Sequence, residues 1–169
     1  KPALRVIAPL YAEELQVVVR ADSPLRYLHE LEGRRINIGA ADGARALTAA
    51  ALYRRMFGDA IAPTALGGLD APDALNRLAA GAALDAVLLV AAGLAPELAA
   101  LTPASRGALR VLRLDPAAPA SRRALQAYLP VTLPATPDAG GAVPTPTLAA
   151  LQFLVSGGTP DDANASAHT

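Results

Sequence analysis

The chain has 169 residues, with 15 Lys+Arg against 15 Asp+Glu, 53% hydrophobic residues, 4% aromatics and no cysteine. That length suits one domain with a single continuous core, and the balanced charge removes the positive field on which nucleic-acid binding depends. Without cysteine there is no disulfide, no thiolate-ligated metal and no thiol nucleophile, and His29 and His168 are the only imidazoles. The longest nearly uninterrupted apolar run, 86–95, is about half of the roughly 20 residues a membrane-spanning helix requires. No charged segment leads into an apolar stretch at the start, so a signal peptide is expected to be absent or already removed.

Val17-Val18-Val19, between Gln16 and Arg20, reads as a buried strand that Ala21-Asp22-Ser23-Pro24 stops. Asp22 or Ser23 then caps a short helix with Leu25, Leu28 and Leu31 on one face and Pro24 in its first turn, and Gly33 closes it. Arg35-Ile36-Asn37-Ile38-Gly39 is the second strand. Small residues, 40–44, lead into a helix whose Leu47, Ala50, Ala51 and Tyr53-Arg54 repeat at helical period until Gly58. A strand is expected over 61–66, a helix over 71–80 with Leu75 and Leu78 inward, and a doubly covered apolar strand over 84–91. Leu109 to Leu114, with Arg110 and Arg113 interleaved, reads as a half-exposed strand, and 120–129 as a helix. Five prolines and two glycines between Pro130 and Pro146 suit an extended crossover. Thr147 to Val155 is expected as a last apolar helix.

Strands alternating with helices predict an α/β domain over 1–156, with a mostly parallel sheet covered by helices on both faces, and a flexible polar tail over 157–169. In such sheets ligands sit beyond the carboxyl ends of the strands, near helix N-termini. Gly39-Ala40-Ala41-Asp42-Gly43-Ala44-Arg45 joins strand to helix through nearly side-chain-free residues, which lets a ligand approach backbone N–H groups at the positive end of a helix dipole. The plainer reading of the same residues is a tight turn with Asp42 as helix cap.

The order of segments carries more information than any one of them. Leu10-Tyr11, the strand 15–20, Asp22-Ser23-Pro24-Leu25, Leu31-Glu32-Gly33-Arg34-Arg35 and the strand ending at Gly39 follow the pattern of the TAXI family of TRAP-transporter solute receptors. The pattern continues at Asp73-Ala74-Leu75 with Gly81, at Leu84-Asp85-Ala86-Val87 with Gly93, and at Val143-Pro144-Thr145. Over roughly 7–155 the chain resembles the second lobe and crossover segments of such a receptor. The resemblance implies a type 2 periplasmic-binding-protein lobe, no catalysis and no cofactor. It also implies a small organic solute, anionic in the family, held by Tyr11, Gly39, Ala40, Ala41, Asp42, Gly43, Ala44, Arg45 and Gly93, with a periplasmic location. The partners it implies are membrane transporter subunits or another copy of the chain.

The family's Ser-Gly-Thr loop is here Asp42-Gly43-Ala44. The hydroxyl donors are gone, and a carboxylate at the helix start repels an anionic ligand by about 1 to 4 kcal/mol at a partly exposed site. Either Asp42 contacts a neutral or cationic ligand, or the site is lost and Asp42 is only a cap. Arg45 can pair back to Asp42 or stay solvated, Tyr11 can face solute or simply pack, and His29 is expected to be exposed. A degenerate fold kept for protein contacts or dimerisation is the alternative, and a LysR-type effector domain shares the fold. Catalysis is disfavoured: the chain has no Gly-x-Ser-x-Gly elbow, no phosphate loop and no His-Glu-x-x-His helix, and the thiamine-pyrimidine synthases of related fold use cysteine that is absent here.

Overall fold

The computed structural model describes residues 3–62, 68–135 and 144–158. Six strands form one sheet: β1 (Ala3–Arg20), β2 (Ile36–Asn37), β3 (Ala86–Ala91), β4 (Leu109–Val111), β5 (Leu129–Leu133) and β6 (Thr145–Gly158). Their order is β2-β3-β1-β6-β5, with β4 also on β1. The helices are α1 (Ala44–Phe57), α2 (Ala71–Ala79), α3 (Pro96–Ala99), α4 (Pro103–Gly107) and α5 (Pro119–Ala124), and a 3-10 turn spans Leu28–Leu31.

The buried half of β1 explains why one sheet has two cores. Side chains alternate across a strand, so Leu15, Val17 and Val19 face one cluster, with the 3-10 turn, α1 and α5, while Val18 faces the other, with α2 and α3. In β3, Ala86 and Leu88 point to the first cluster and Val87 and Leu89 to the second. Helices therefore cover both faces, as the α/β reading expects. Leu25, Leu28 and Leu31 are buried together in the first cluster, but the helical turn begins after Tyr27 rather than after Asp22 or Ser23 and leaves Pro24 outside it; Ser23 Oγ accepts the Leu25 N–H at 3.2 Å ahead of that turn.

The mostly parallel sheet is corrected. Only β2 and β3 pair in parallel among the described strands, while β1 runs antiparallel to β3, β4 and β6, and β5 antiparallel to β6. The helix expected over 147–155 is also corrected, because those residues belong to β6. It pairs with β1 from Ala3↔Gly158 to Leu15↔Leu148, and with β5 on its other edge. Pairing with β1 over 148–158, and with β5 over 145–149, satisfies much of its backbone and outweighs the helical preference of Leu, Ala and Gln. The 120–129 helix ends at Ala124, and Leu129 already begins β5, a path on which Pro130 is tolerated because β5 is an edge strand. Of the strand expected over 61–66, Ile61 and Ala62 are irregular and 63–66 lie outside the described residues. So do 136–143 of the expected crossover and 159–169 of the expected tail.

Beyond its buried half, β1 continues with β6 as a two-stranded ribbon. The register shifts between Val6 and Ala8 and between Pro9 and Tyr11. Val6, Ile7, Leu10 and Tyr11 on β1, and Leu151, Phe153, Leu154 and Val155 on β6, are exposed.

Candidate functional site

The mouth of the fold lies where the parallel pair β2 and β3 ends. Asn37 is fully buried, and its Oδ1 accepts the Gly39 N–H at 3.2 Å, which starts the turn into α1. Gly39 stands at φ +80°, a region that costs an L-residue about 1–2 kcal/mol. Its missing side chain matters a second time: a Cβ there would overlap the Arg45 guanidinium at Nη2. Arg45 folds back over the glycine, with Nε donating to the Ile38 carbonyl and Nη2 to the Leu69 carbonyl, both at 3.2 Å. The turn closes as the Gly43 N–H donates to the Ala40 carbonyl at 2.9 Å. Gly43, not Asp42, is the N-cap of α1, and no carboxylate stands in the first helical turn. The positive end of the helix dipole therefore has no negative side chain there to offset it.

Arg45 lines an open hollow of about 510 Å³ together with Ala40, Gly68, Asp70, Ala71, Pro72, Val90 and Glu97. Asp70 caps α2, its Oδ1 accepting the Asp73 N–H at 2.9 Å, and Pro72 in the first helical turn loses no hydrogen bond there. Val90 comes from the end of β3, and Glu97 from the first turn of α3. Burial lowers the Arg45 pKa, and the negative fields of Glu97 and Asp70 partly restore it. The ion pairs among the described residues are Arg20–Asp22 and Arg35–Asp85, so neither Asp70 nor Glu97 closes onto the guanidinium. One positive and two negative groups thus surround open space without cancelling by contact.

The segment after β3 is fixed from below by β1. Glu14 Oε2 accepts the Gly93 N–H at 2.7 Å, and the buried Gln16 bridges the loop, with Nε2 donating to the Gly93 carbonyl at 2.6 Å and Oε1 accepting the Ala95 N–H at 3.2 Å. Gly93 adopts φ +82°. Its backbone amide and carbonyl are both committed to β1 side chains, and it does not line the hollow.

Of the sequence-derived candidates, the structure brings Ala40 and Arg45 to the hollow, with Gly39 beneath the guanidinium. Ala41, Asp42 and Ala44 are exposed beside the turn, and Arg45 turns to Ile38 and Leu69 rather than to Asp42. Tyr11 lies on the ribbon opposite Gln152. His29 is half-buried, contrary to the exposed position expected, and stacks on Tyr27 with ring centroids 5.5 Å apart. Asp70, Val90 and Glu97 were not expected from the sequence. The Asp-Ala-Pro helix start at Asp70 marks a cap, but nothing local places Glu97 across from it.

Among the described residues no cluster of three or more His, Asp or Glu could hold a metal ion, and no described helix is long and apolar enough to cross a membrane. A second concavity, about 10 Å³ and lined by core residues such as Leu52, Met56 and Leu88, is apolar and too small for a solute. A search of curated proteins finds no match to the chain. Residues 1–164 match the model of the NMT1-like family, so the chain belongs to that family, which has the periplasmic-binding-protein fold and comprises solute-binding proteins rather than enzymes.

Proposed function

We propose that this domain is a periplasmic solute receptor of the TAXI type, serving a TRAP transporter or a sensory protein, and that it captures a small organic solute at the hollow beyond β2 and β3. The observation that carries the reading is the hollow of about 510 Å³ rimmed by Ala40, Arg45 and the α2 start. It stands beyond the carboxyl ends of the parallel strand pair, where α/β sheets present their ligand sites. The β1/β6 ribbon fits the connection to a facing lobe. Solute held between the two lobes would favour the closed state and shift the population toward it. Gly39, Ala40 and Arg45 are the binding residues in this reading, and Asp70 and Glu97 join them.

The test is a thermal-shift screen of small carboxylates, amino acids and neutral metabolites, repeated with Ala40→Phe, a change at an exposed position that fills the hollow. The reading expects one chemical class to raise the melting temperature, since ligand stabilises by RT ln(1 + [L]/Kd), and expects Ala40→Phe to remove that rise. A rise that survives Ala40→Phe places binding elsewhere and refutes the site.

The exposed apolar ribbon favours a second reading, a receptor fold kept for association with another copy of itself. Residues 150–158 of β6 carry no charge and no proline, the devices that normally guard an edge strand. Concentration-dependent dimerisation that Leu154→Lys abolishes supports this reading, and a monomer at all concentrations rejects it.

A further inference from the structure

The hollow has a charge pattern that narrows what it accepts. Its polar rim is one half-buried guanidinium, Arg45, and two carboxylates, Asp70 and Glu97, arriving on three different elements. Had these groups served only to hold the fold together, the guanidinium would be expected to close onto one of the carboxylates. It is held back instead by the Ile38 and Leu69 carbonyls, and the space between the opposite charges stays open. Asp70 spends Oδ1 on the α2 cap and keeps its second oxygen. The rest of the rim, Ala40, Ala71, Pro72 and Val90, is small and apolar.

A simple anion entering this space gains the guanidinium but meets two carboxylates, and a simple cation meets the reverse arrangement at Arg45. A molecule carrying both charges a few ångströms apart satisfies each wall at once. Resting on the solute-receptor reading, we infer that the hollow is built for a small zwitterion of the amino-acid class, its carboxylate toward Arg45 and its ammonium toward Asp70 and Glu97. The apolar rim then meets an aliphatic body. Asp42, exposed and outside the hollow, takes no direct part in selecting charge.

Three matched probes test this: L-alanine, propionate, which lacks the ammonium, and ethylamine, which lacks the carboxylate. Each is titrated into the full chain and followed by two-dimensional amide NMR, including the Arg45 Nε–H signal. The inference expects L-alanine to move the Arg45 signal and the amides of 69–73 and 90–98. Each truncated probe should bind at least roughly tenfold more weakly, the loss expected when a charged hydrogen-bond partner is removed. Glu97→Gln, and Asp70→Asn, which keeps the capping oxygen, should each weaken L-alanine several-fold and leave propionate unchanged or tighter. Alanine binding no tighter than propionate, indifference to both substitutions, or no alanine response overturns the inference. Binding of propionate or of a dicarboxylate at the same amides would leave solute capture standing while removing the zwitterion.

Discussion

Replacing Gly39 with alanine probes the turn where fold and site meet, and Gly58 supplies the control. Both glycines sit at φ +80°, so either substitution carries the left-handed backbone cost of about 1–2 kcal/mol. A Cβ at Gly58 meets nothing within 4 Å, whereas at Gly39 it would overlap Arg45 Nη2 and lie 2.8 Å from Nε. The guanidinium must then leave the Ile38 and Leu69 carbonyls. Hydrogen bonds from a charged donor are worth about 1.5–3 kcal/mol, but Arg45 is only half-buried and water takes over much of its hydration. A further cost of about 1 kcal/mol is the reasonable remainder. Urea unfolding of the two alanine variants, of Arg45→Ala and of the double variant closes the cycle. Gly39→Ala should be less stable than Gly58→Ala by about 1 kcal/mol, and that excess should vanish once Arg45 is alanine. Equal costs for the two glycines, or additive effects around the cycle, would refute the account of Arg45 as pinned over Gly39.

Gln16→Ala leaves the Gly93 carbonyl and the Ala95 N–H without their buried partner, at a cost of about 1–3 kcal/mol in denaturant unfolding, with faster hydrogen exchange over 92–95; unchanged exchange would show the loop is held by other means. Leu75→Ala, in the second cluster and fully buried, should lose about 2–5 kcal/mol, and a smaller loss in the same assay would mean that α2 is loosely docked. Glu30 Oε2 accepts the Arg26 and Tyr27 N–H groups at 2.6 and 2.7 Å, and these bonds, the Arg26 amide first, hold its carboxyl below the ordinary glutamate range. The stability this confers is fully present above the unfolded value of about 4.3 and is lost as pH falls through the lower folded value. Glu30→Gln should therefore flatten the acid limb of the stability–pH curve, and an unaltered limb would contradict that role.

The elements legible in the sequence are those whose period matches their environment. β3 is a continuous apolar run because both of its faces are buried, and α2 shows its cap, its proline and its Leu75/Leu78 stripe within nine residues. β6 was not legible. Leu148, Leu151 and Leu154–Val155 recur at helical spacing among good helix formers, and only a partner more than a hundred residues away in sequence, β1, selects the strand. The antiparallel sense of the sheet has the same origin, since chain direction between distant strands leaves no trace in either segment. In the site, Gly39 and Arg45 could be found because a strand, a small-residue turn and a helix start are contiguous. Asp70 and Glu97 could not, because β1 and the Gln16–Gly93 bridge bring α3 to the same rim only after folding.

Whether the space beyond β2 and β3 receives a small solute is read by amide NMR mapping with whichever compound most raises the melting temperature. Capture there confines the perturbations to 39–46, 68–73 and 90–98, with the Arg45 Nε–H among the largest. Perturbations centred on the β1/β6 ribbon, or spread without focus over the surface, would contradict it.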